Sequence, residues 1–285
     1  MLFPIGMLVV IGSVLGGYVM HGGHLVVLWQ PTEFIVIFGA GIGSFIIGNP
    51  SHVSKGALSR FKTLFKGKPY TTQSYLDLLC FMFTVFKIMK TKGMLELESH
   101  IENPHESDMF NKFPSFAADH HAVEFFCDYI RILTMGVDDF YQMEDLMDKE
   151  LETHHHEGVT QATAMNTMAE AFPALGIVAA VQGVIITMGS ITEPPEVLGH
   201  LIGGALVGTF LGVLLCYGIF GPIASFMNKF VDAESKYYEV IKIGIISHMK
   251  GNAPMISVEF ARKVITSDVR PSFKELEEAT AAATA

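Results

Sequence analysis

Three consecutive histidines, His154–His156, are the residues of this chain that most suggest metal chemistry. A metal site needs three or four ligands that converge on one point, whereas neighbouring residues of a helix point in different directions. The three cysteines are too far apart for a zinc motif or a disulfide framework: Cys80, Cys127 and Cys216. The sequence contains no phosphate-binding loop, nucleophile elbow or zinc-protease motif. We therefore expect no metal, no cofactor and no enzymatic activity.

Two polar side chains stand out because the sequence around each is apolar: Thr209 and Gln182. A threonine hydroxyl in such a segment could face an ion path. The commoner alternative is a hydrogen bond to the backbone carbonyl one helical turn earlier. Gln182 could likewise bridge two helices or face water.

Pro173 and Pro222 lie at the ends of the same apolar segments. A proline removes one helical hydrogen bond and fixes φ, so it can make a hinge or a kink. The alternatives are a helix-entry proline at 173 and a helix break at 222, neither of which has a mechanistic role.

Glycines form a stripe at positions i, i+4 and i+8 of the last apolar segment: Gly204, Gly208 and Gly212. Small residues at this spacing let helix backbones approach closely in a membrane. Two earlier segments repeat the pattern, with Gly12 and Gly16 in one and Gly39 and Gly43 in the other. The stripes indicate helix packing, either within one chain or between subunits.

The positions of Lys and Arg along the chain indicate that the glycines, prolines and polar residues named above lie in membrane-spanning helices. All 19 basic residues lie at 55–149 or 229–274, whereas residues 1–54 and 150–228, which are apolar and rich in glycine, have none. Membrane proteins sort charge in this way, because the Lys and Arg of short loops mark the cytoplasmic side. At about 20 residues per span, four transmembrane helices fit the two basic-free blocks: 2–21, 33–50, 171–192 and 200–227.

We therefore predict an all-α integral membrane protein with four transmembrane helices and a helical cytoplasmic domain. Residues 1–50 carry spans 1 and 2, 51–170 form the cytoplasmic domain, 171–227 carry spans 3 and 4, and 228–285 form C-terminal cytoplasmic helices and a tail. A composition that is half hydrophobic, with a mean hydropathy of +0.39, fits this mixture. The net charge of −10 argues against nucleic-acid binding.

A basic run follows the second span and places its end in the cytoplasm: Lys55, Arg60, Lys62, Lys66 and Lys68. Two spans precede this run, so we expect both termini in the cytoplasm. Helical periodicity predicts three helices in the cytoplasmic domain: Tyr75–Met89, which stops near Gly93, Phe116–Met135 and Phe140–Leu151. In the tail we expect a helix to about Met249, a break at Gly251, short helices at 258–265 and 273–279, and a disordered end, ATAAATA.

Charged residues are absent from the interior of every predicted span, since Glu33, Glu193 and Glu196 fall at span edges or in outer turns. An ion path in a membrane usually includes a titratable carboxylate. If this chain moves protons, the carboxylate must therefore come from a partner; otherwise the chain is a scaffold.

Long sequence blocks in order resemble the flagellar motor stator A subunits (MotA), within the wider class that includes the TolQ and ExbB energy transducers. The blocks are GMLVVIGSVLGGYVMHGG, QPTEFIVIFGAGIGSFIIGN, LESHIENPHES, FPALGIVAAVQGV, LVGTFLGVLLCYG, VEFARK and RPSFKELEE. The resemblance covers nearly the whole chain. It implies a subunit of the bacterial inner membrane that couples proton flow to torque on the flagellar rotor.

The resemblance also implies roles for single residues. Pro173 and Pro222 match two prolines linked to conformational change during ion flow. Glu98 matches an acidic residue that faces the rotor protein FliG, and Glu150 lies at a further acidic position of that surface. Lys90 stands where many relatives have Arg, so it keeps the charge but loses the guanidinium fork.

Sodium-driven relatives carry a threonine on each of spans 3 and 4 near the ion. Here Thr209 is present but the position on the third span is Ala180. One hydroxyl supplies too few oxygens to replace a sodium hydration shell, so we expect protons as the coupling ion.

The resemblance further implies that a single-span B subunit (MotB-like) supplies the intramembrane Asp. The A subunits are expected to form a ring of five around two B helices, in contact with the lipid bilayer, and the glycine stripes would serve this assembly. Two alternatives stay open: an ExbB/TolQ-like transducer and a structural membrane scaffold.

Overall fold

The computed structural model describes residues 2–64 and 70–283. All regular elements in these ranges are helices, which confirms the predicted fold class. The α-helices are α1 (Leu2–Met20), α2 (Leu25–Leu28), α3 (Pro31–Gly48), α4 (Ser51–Thr63), α5 (Thr72–Lys92), α6 (Leu95–Glu102), α7 (Asp108–Asn111), α8 (Pro114–Ala117), α9 (His120–Thr134), α10 (Phe140–Gly189), α11 (Pro195–Val213), α12 (Gly221–Met249), α13 (Pro254–Lys263) and α14 (Phe273–Ala283).

Four helical stretches are long and apolar enough to cross a membrane, as predicted. They lie within Phe3–Met20, Leu25–Gly48, Phe140–Gly189 and Pro195–Met249. Of the basic run after the second stretch, Lys66 and Lys68 lie outside the described residues, and Lys55 and Lys62 belong to α4.

Packing divides the chain into two compact units. The membrane unit comprises Met1–Gly67 and Glu157–Phe230, and the second unit comprises Lys68–His156 and Val231–Ala285. These are packing boundaries, whereas the predicted segment ends at 50, 170 and 227 refer to a membrane surface. The packing boundaries therefore neither support nor contradict the predicted segment ends.

In the membrane unit, α11 packs against α2 and α3, and α1 packs against α2 and the segment that follows α11. One apolar cluster joins α3, α10 and the fourth stretch through Ile37, Phe172, Ala179 and Leu211. A second cluster joins α4, α10 and α12 through residues that include Ala57, Ala162 and Met227. These clusters hold the two proline-containing stretches beside α3.

Pro173 is not a helix-entry proline and the helical stretch does not break at Pro222, so these two alternatives are wrong. Pro173 lies inside the 50-residue helix α10. Pro222 follows a π-helical segment, Leu214–Phe220, in which the Gly221 N–H donates to the Cys216 carbonyl, and the helix continues to Met249. Proline has no N–H to donate, so it leaves a backbone carbonyl of the preceding turn without its usual partner. The i to i+5 hydrogen bonds of the π turn pair carbonyls in this region with other N–H groups, so the fourth stretch stays helical through Pro222.

Helix α5 is the centre of the second unit, where α6, α8, α13 and α14 pack against it. Phe81 is fully buried in an aromatic cluster, with ring centroids 4.6 Å from Phe110, 4.5 Å from Phe116 and 5.0 Å from Phe126. The predicted end of α5 is confirmed at Gly93, whose φ of 87° is a conformation that glycine adopts without strain.

Three helical expectations for this unit need correction. The stretch from Phe116 to Met135 is two helices, α8 and α9, because Asp119 caps a new helix at the Ala122 N–H. The helix that begins at Phe140 does not end at Leu151 but continues as α10. The end of the chain is helical to Ala283, since Leu276 and Thr280 are buried; residues 284 and 285 lie outside the described range.

Candidate ion path and docking surface

The glycine stripe of α11 is occupied by neighbours from the same chain. A Cβ at Gly204 would lie 3.2 Å from Nε2 of Gln30, and one at Gly212 would lie 2.5 Å from the backbone oxygen of Phe172. At Gly208 a Cβ would lie 2.5 Å from Oε2 of Glu33. The stripe therefore lets α10 and the segment that begins α3 approach the backbone of α11.

The glycines of the first two spans differ from this stripe. A Cβ at Gly12, Gly16, Gly39 or Gly43 would meet no atom within 4 Å among the described residues. No helix in the described part of this chain therefore packs closely against these four glycines.

Glu33 is the feature of this unit that sequence reasoning misplaced. It lies in the first turn of α3, but it is only 8% exposed and its carboxyl faces Gly208, thirteen residues into α11. At 1.5 Å per residue, Gly208 is about 20 Å along the helix from Pro195. The expectation that the spans have no internal carboxylate is therefore wrong. Hydropathy placed Glu33 at an edge because it cannot show how far α11 extends beyond α3.

Ala180 lies beside Gly208, the residue before Thr209. A Cβ at Gly208 would lie 3.1 Å from the Ala180 backbone nitrogen. Within residues 2–64 and 70–283 the Thr209 hydroxyl makes no hydrogen bond, whereas Thr187 donates to the Gly183 carbonyl at 2.8 Å. Both Thr209 and Ala180 are half-buried. The alternative of a hydrogen bond to the backbone carbonyl one turn earlier therefore holds for Thr187 and not for Thr209.

The two proline segments contact each other through aromatic rings. Phe172, directly before Pro173, is fully buried, and its ring lies 5.0 Å from that of Phe220, two residues before Pro222. Phe38 of α3 contacts both rings, at 5.7 and 6.4 Å. A rearrangement at one proline therefore changes the packing at the other.

Lys90 and Glu98 are exposed on either side of the turn at Gly93. Neither forms an ion pair within the part of the chain that the structure describes, while their neighbours Lys92 and Glu96 pair at 3.2 Å. Lys90 lies in the last turn of α5 and Glu98 in the first turn of α6. The turn thus presents two unpaired charges of opposite sign on a rigid element.

Glu150 has a partner inside its own unit. It accepts a hydrogen bond of 2.6 Å from the Tyr129 hydroxyl, and burial raises the pKa of Tyr129 well above its ordinary value. A role of Glu150 in docking would compete with this contact. The consecutive histidines are also engaged, since His155 bonds to Ser235 at 2.9 Å and the ring of His154 packs edge-on against Tyr238.

The fold and these residues define an all-helical membrane protein in which polar groups, small residues and two prolines lie together between spans. Comparison with known proteins identifies the family. Residues 4–93 match the motility protein A N-terminal model, and residues 119–240 match the MotA/TolQ/ExbB proton channel family. The chain is 44% identical over 278 residues to motility protein A of Salmonella typhimurium and equally to that of Escherichia coli, covering 98% of this chain and 94% of each relative.

Chemotaxis protein LafT of Vibrio parahaemolyticus is 33% identical over 96% of both chains. The fold is similar to solved structures of MotAB from C. jejuni (TM-score 0.78, 20% identity) and of the flagellar MotAB stator complex from Bacillus subtilis (TM-score 0.75, 22% identity). Each match covers 95% of this chain and 98% of the matched chain. This chain belongs to the motility protein A family, a proton channel family and not an enzyme family.

Proposed function

We propose that this chain is the A subunit of a flagellar stator, which together with a B subunit couples proton flow to torque on the rotor. The observation that carries the proposal is the 44% identity to motility protein A along 98% of the chain. The match of residues 4–93 to the motility protein A N-terminal model favours this function over an ExbB/TolQ-like transducer.

The chain would lie in the bacterial inner membrane with both termini in the cytoplasm. Five copies would surround two B helices, and each B helix would bring the Asp that binds the proton. The glycines at 12, 16, 39 and 43, which have no neighbours within the described chain, are available for contacts with other subunits. Conduction would then need both subunits, and the purified A chain alone would not conduct.

Proton binding removes the charge of the B-subunit Asp and its attraction to the site. The loss of one hydrogen bond or ion pair is worth about 1–3 kcal/mol, and the membrane potential supplies about 2.3 kcal/mol per charge per 100 mV. The two quantities are comparable, so one proton can bias one step of the ring. The packing of Phe172 on Phe220 provides a route by which the segments at Pro173 and Pro222 move together.

Torque would reach the rotor protein FliG through Lys90 and Glu98. A charge in contact with an oppositely charged partner steers association, and reversing it introduces repulsion that the reversed partner can relieve. We therefore expect Lys90→Glu and Glu98→Lys to abolish or strongly reduce swimming, and reversal of the matching rotor charges to restore it.

Lys92→Glu is the matched control for this experiment. Lys92 is a neighbouring exposed lysine that already has a partner in Glu96, and exposed pairs of this kind contribute only about 0.2–1 kcal/mol. Swimming speed should change little in this variant. Equal loss at Lys90 and Lys92, or no rescue by rotor variants, would contradict docking at this turn.

The half-buried Thr209 hydroxyl and Ala180 support protons as the coupling ion, because together they offer one side-chain oxygen. In vesicles that contain both subunits, flux should follow the proton gradient and should not require sodium. A dependence on sodium in the wild-type complex would contradict this choice of ion.

A further inference from the structure

The mechanism above leaves one buried titratable group of the membrane unit unused. Oε2 of Glu33 is shielded from solvent and has no hydrogen-bond partner among residues 2–64 and 70–283. The whole residue is 92% buried by atoms of its own chain, since its exposure is 8%. Its position does not depend on an assembly to remove it from water.

Residues 1–54 and 150–228, which supply the helices around this carboxyl, contain no Lys or Arg that could compensate its charge. Oε2 lies against Gly208 of α11, and the α10 residues beside that glycine are Ala179 and Ala180; none of the three titrates. Helix α2, LVVL, has no ionisable residue, and Glu33 is the one ionisable residue of α3. The titratable groups of α11 are Glu196 and His200, both exposed and at least eight residues before Gly208.

A structural role would predict a different residue here. An unpaired, shielded carboxylate oxygen carries a large desolvation cost, and a carboxylate inside a membrane protein usually marks an ion or proton pathway. A neutral side chain of similar size would fill the same space against Gly208 without that cost. The carboxyl instead lies against Gly208, the residue before Thr209, where the ion path is proposed.

We propose that Glu33 is a second proton-binding site, supplied by this chain, between the outer surface and the Asp of the B subunit. A proton that leaves a hydronium ion forms an O–H bond on the Glu33 carboxylate and cancels its charge. That bond then breaks as the proton moves on, and the carboxylate is restored with no net change. This inference rests on the proposed function, since it requires that the complex conducts protons.

The test measures proton flux in vesicles that contain both subunits, with Glu33→Gln and Glu33→Asp compared at several outer pH values. Flux is normalised to the amount of assembled complex. We expect Glu33→Gln to lower flux by on the order of 10²-fold, as for loss of a proton-transferring side chain, with a larger loss at alkaline outer pH where hydronium is scarce. Glu33→Asp should retain more flux, because it still titrates.

The reverse order would overturn the proposal. Gln has nearly the size of Glu, so a carboxyl that only fills space would be replaced better by Gln than by Asp. Flux in Glu33→Gln equal to wild type at all outer pH values would also overturn it. Glu196→Gln is the matched control, because Glu196 is an exposed carboxylate at the outer end of α11, and its flux should equal wild type.

A second measurement does not depend on flux. Infrared difference spectra of the complex between acidic and alkaline pH should show a carboxylic-acid carbonyl band that is absent in Glu33→Gln and present in Glu196→Gln. Identical spectra for wild type and Glu33→Gln would overturn the assignment. If wild-type vesicles conduct no protons but this band is present, the proposed function fails while proton binding at Glu33 stands.

Discussion

Gly212 in the membrane unit and Phe81 in the second unit each lie where several helices meet, but they hold those helices together in different ways. At Gly212 the backbones of α10 and α11 approach so closely that an added methyl group would lie 2.5 Å from a carbonyl oxygen. At Phe81 the backbones stand apart, and aromatic rings fill the space between them. One contact depends on a missing side chain and the other on a large one.

The difference follows from the solvent around each unit. Lipid is as apolar as a leucine side chain, so burial of large side chains gives spans little reason to associate, and close backbone packing takes its place. In water, burial of apolar area is the dominant favourable term, which a cluster of phenylalanines supplies. The membrane unit also leaves large apolar side chains exposed, such as Leu8, Ile47 and Leu206, for lipid or other subunits to cover.

Phe81→Ala tests the aromatic side of this comparison and has the largest expected effect. Removing a fully buried phenylalanine costs about 3–5 kcal/mol, because contacts are lost and a cavity remains. We expect a corresponding fall in the free energy of unfolding of the full chain, measured by denaturant in detergent. Leu95→Ala is the control, since Leu95 is 85% exposed and should change stability by less than about 0.5 kcal/mol.

Gly212→Ala tests the close-packed side. The added methyl group would meet the Phe172 carbonyl and Gly176 Cα, at 2.5 and 3.0 Å, and backbone atoms cannot move aside as a side chain can. Overpacking of this kind costs about 1–3 kcal/mol, so the yield of folded complex and swimming speed should both fall.

Gly203→Ala is the matched control on the same helix, because a Cβ there meets nothing within 4 Å. It should fold and assemble normally if that surface faces lipid. If Gly212→Ala behaves like Gly203→Ala, close backbone contact does not stabilise the membrane unit and the contrast with Phe81 is lost.

Sequence patterns predicted the helical fold, the four spans and the ends of α5 and α12, because each has a local cause. Apolar length sets the spans, and glycine sets the turns at Gly93 and Gly251, both of which have positive φ. Lys90 and Glu98 were found only through family resemblance. The structure adds that neither has an ion-pair partner in the described residues.

The expectations that failed depend on contacts between segments distant in sequence. The position of Glu33 follows from how α3 packs along α11, which no window of hydropathy contains. The helical end to Ala283 follows from burial of Leu276 and Thr280 against the rest of the second unit, although ATAAATA has few features of its own. A helix break at Pro222 stayed open as an alternative, because the π turn before it is not visible in the residue types.

The smallest predicted effect concerns the ion pair between Arg262 and Glu259 in the second unit. Such pairs are the alternative to aromatic packing as the source of this unit's stability. Arg262 is buried and donates to both carboxylate oxygens of Glu259, at 2.7 and 2.6 Å, and to the Pro271 carbonyl at 2.8 Å. These bonds hold the pKa of Glu259 below its ordinary value. A lowered pKa means that the ionised form stabilises the folded state at neutral pH, and that this contribution is lost as the pH falls through the folded-state pKa.

The expected contribution is roughly 0.2–1 kcal/mol, because Glu259 remains partly exposed. Thermal unfolding of wild type and Glu259→Gln between neutral and acidic pH should therefore converge as the pH falls, with wild type the more stable at neutral pH. A gap that stays constant with pH would contradict an ionic origin of this contribution. A gap as large as that of Phe81→Ala would show that the ion pair stabilises this unit as much as aromatic packing does.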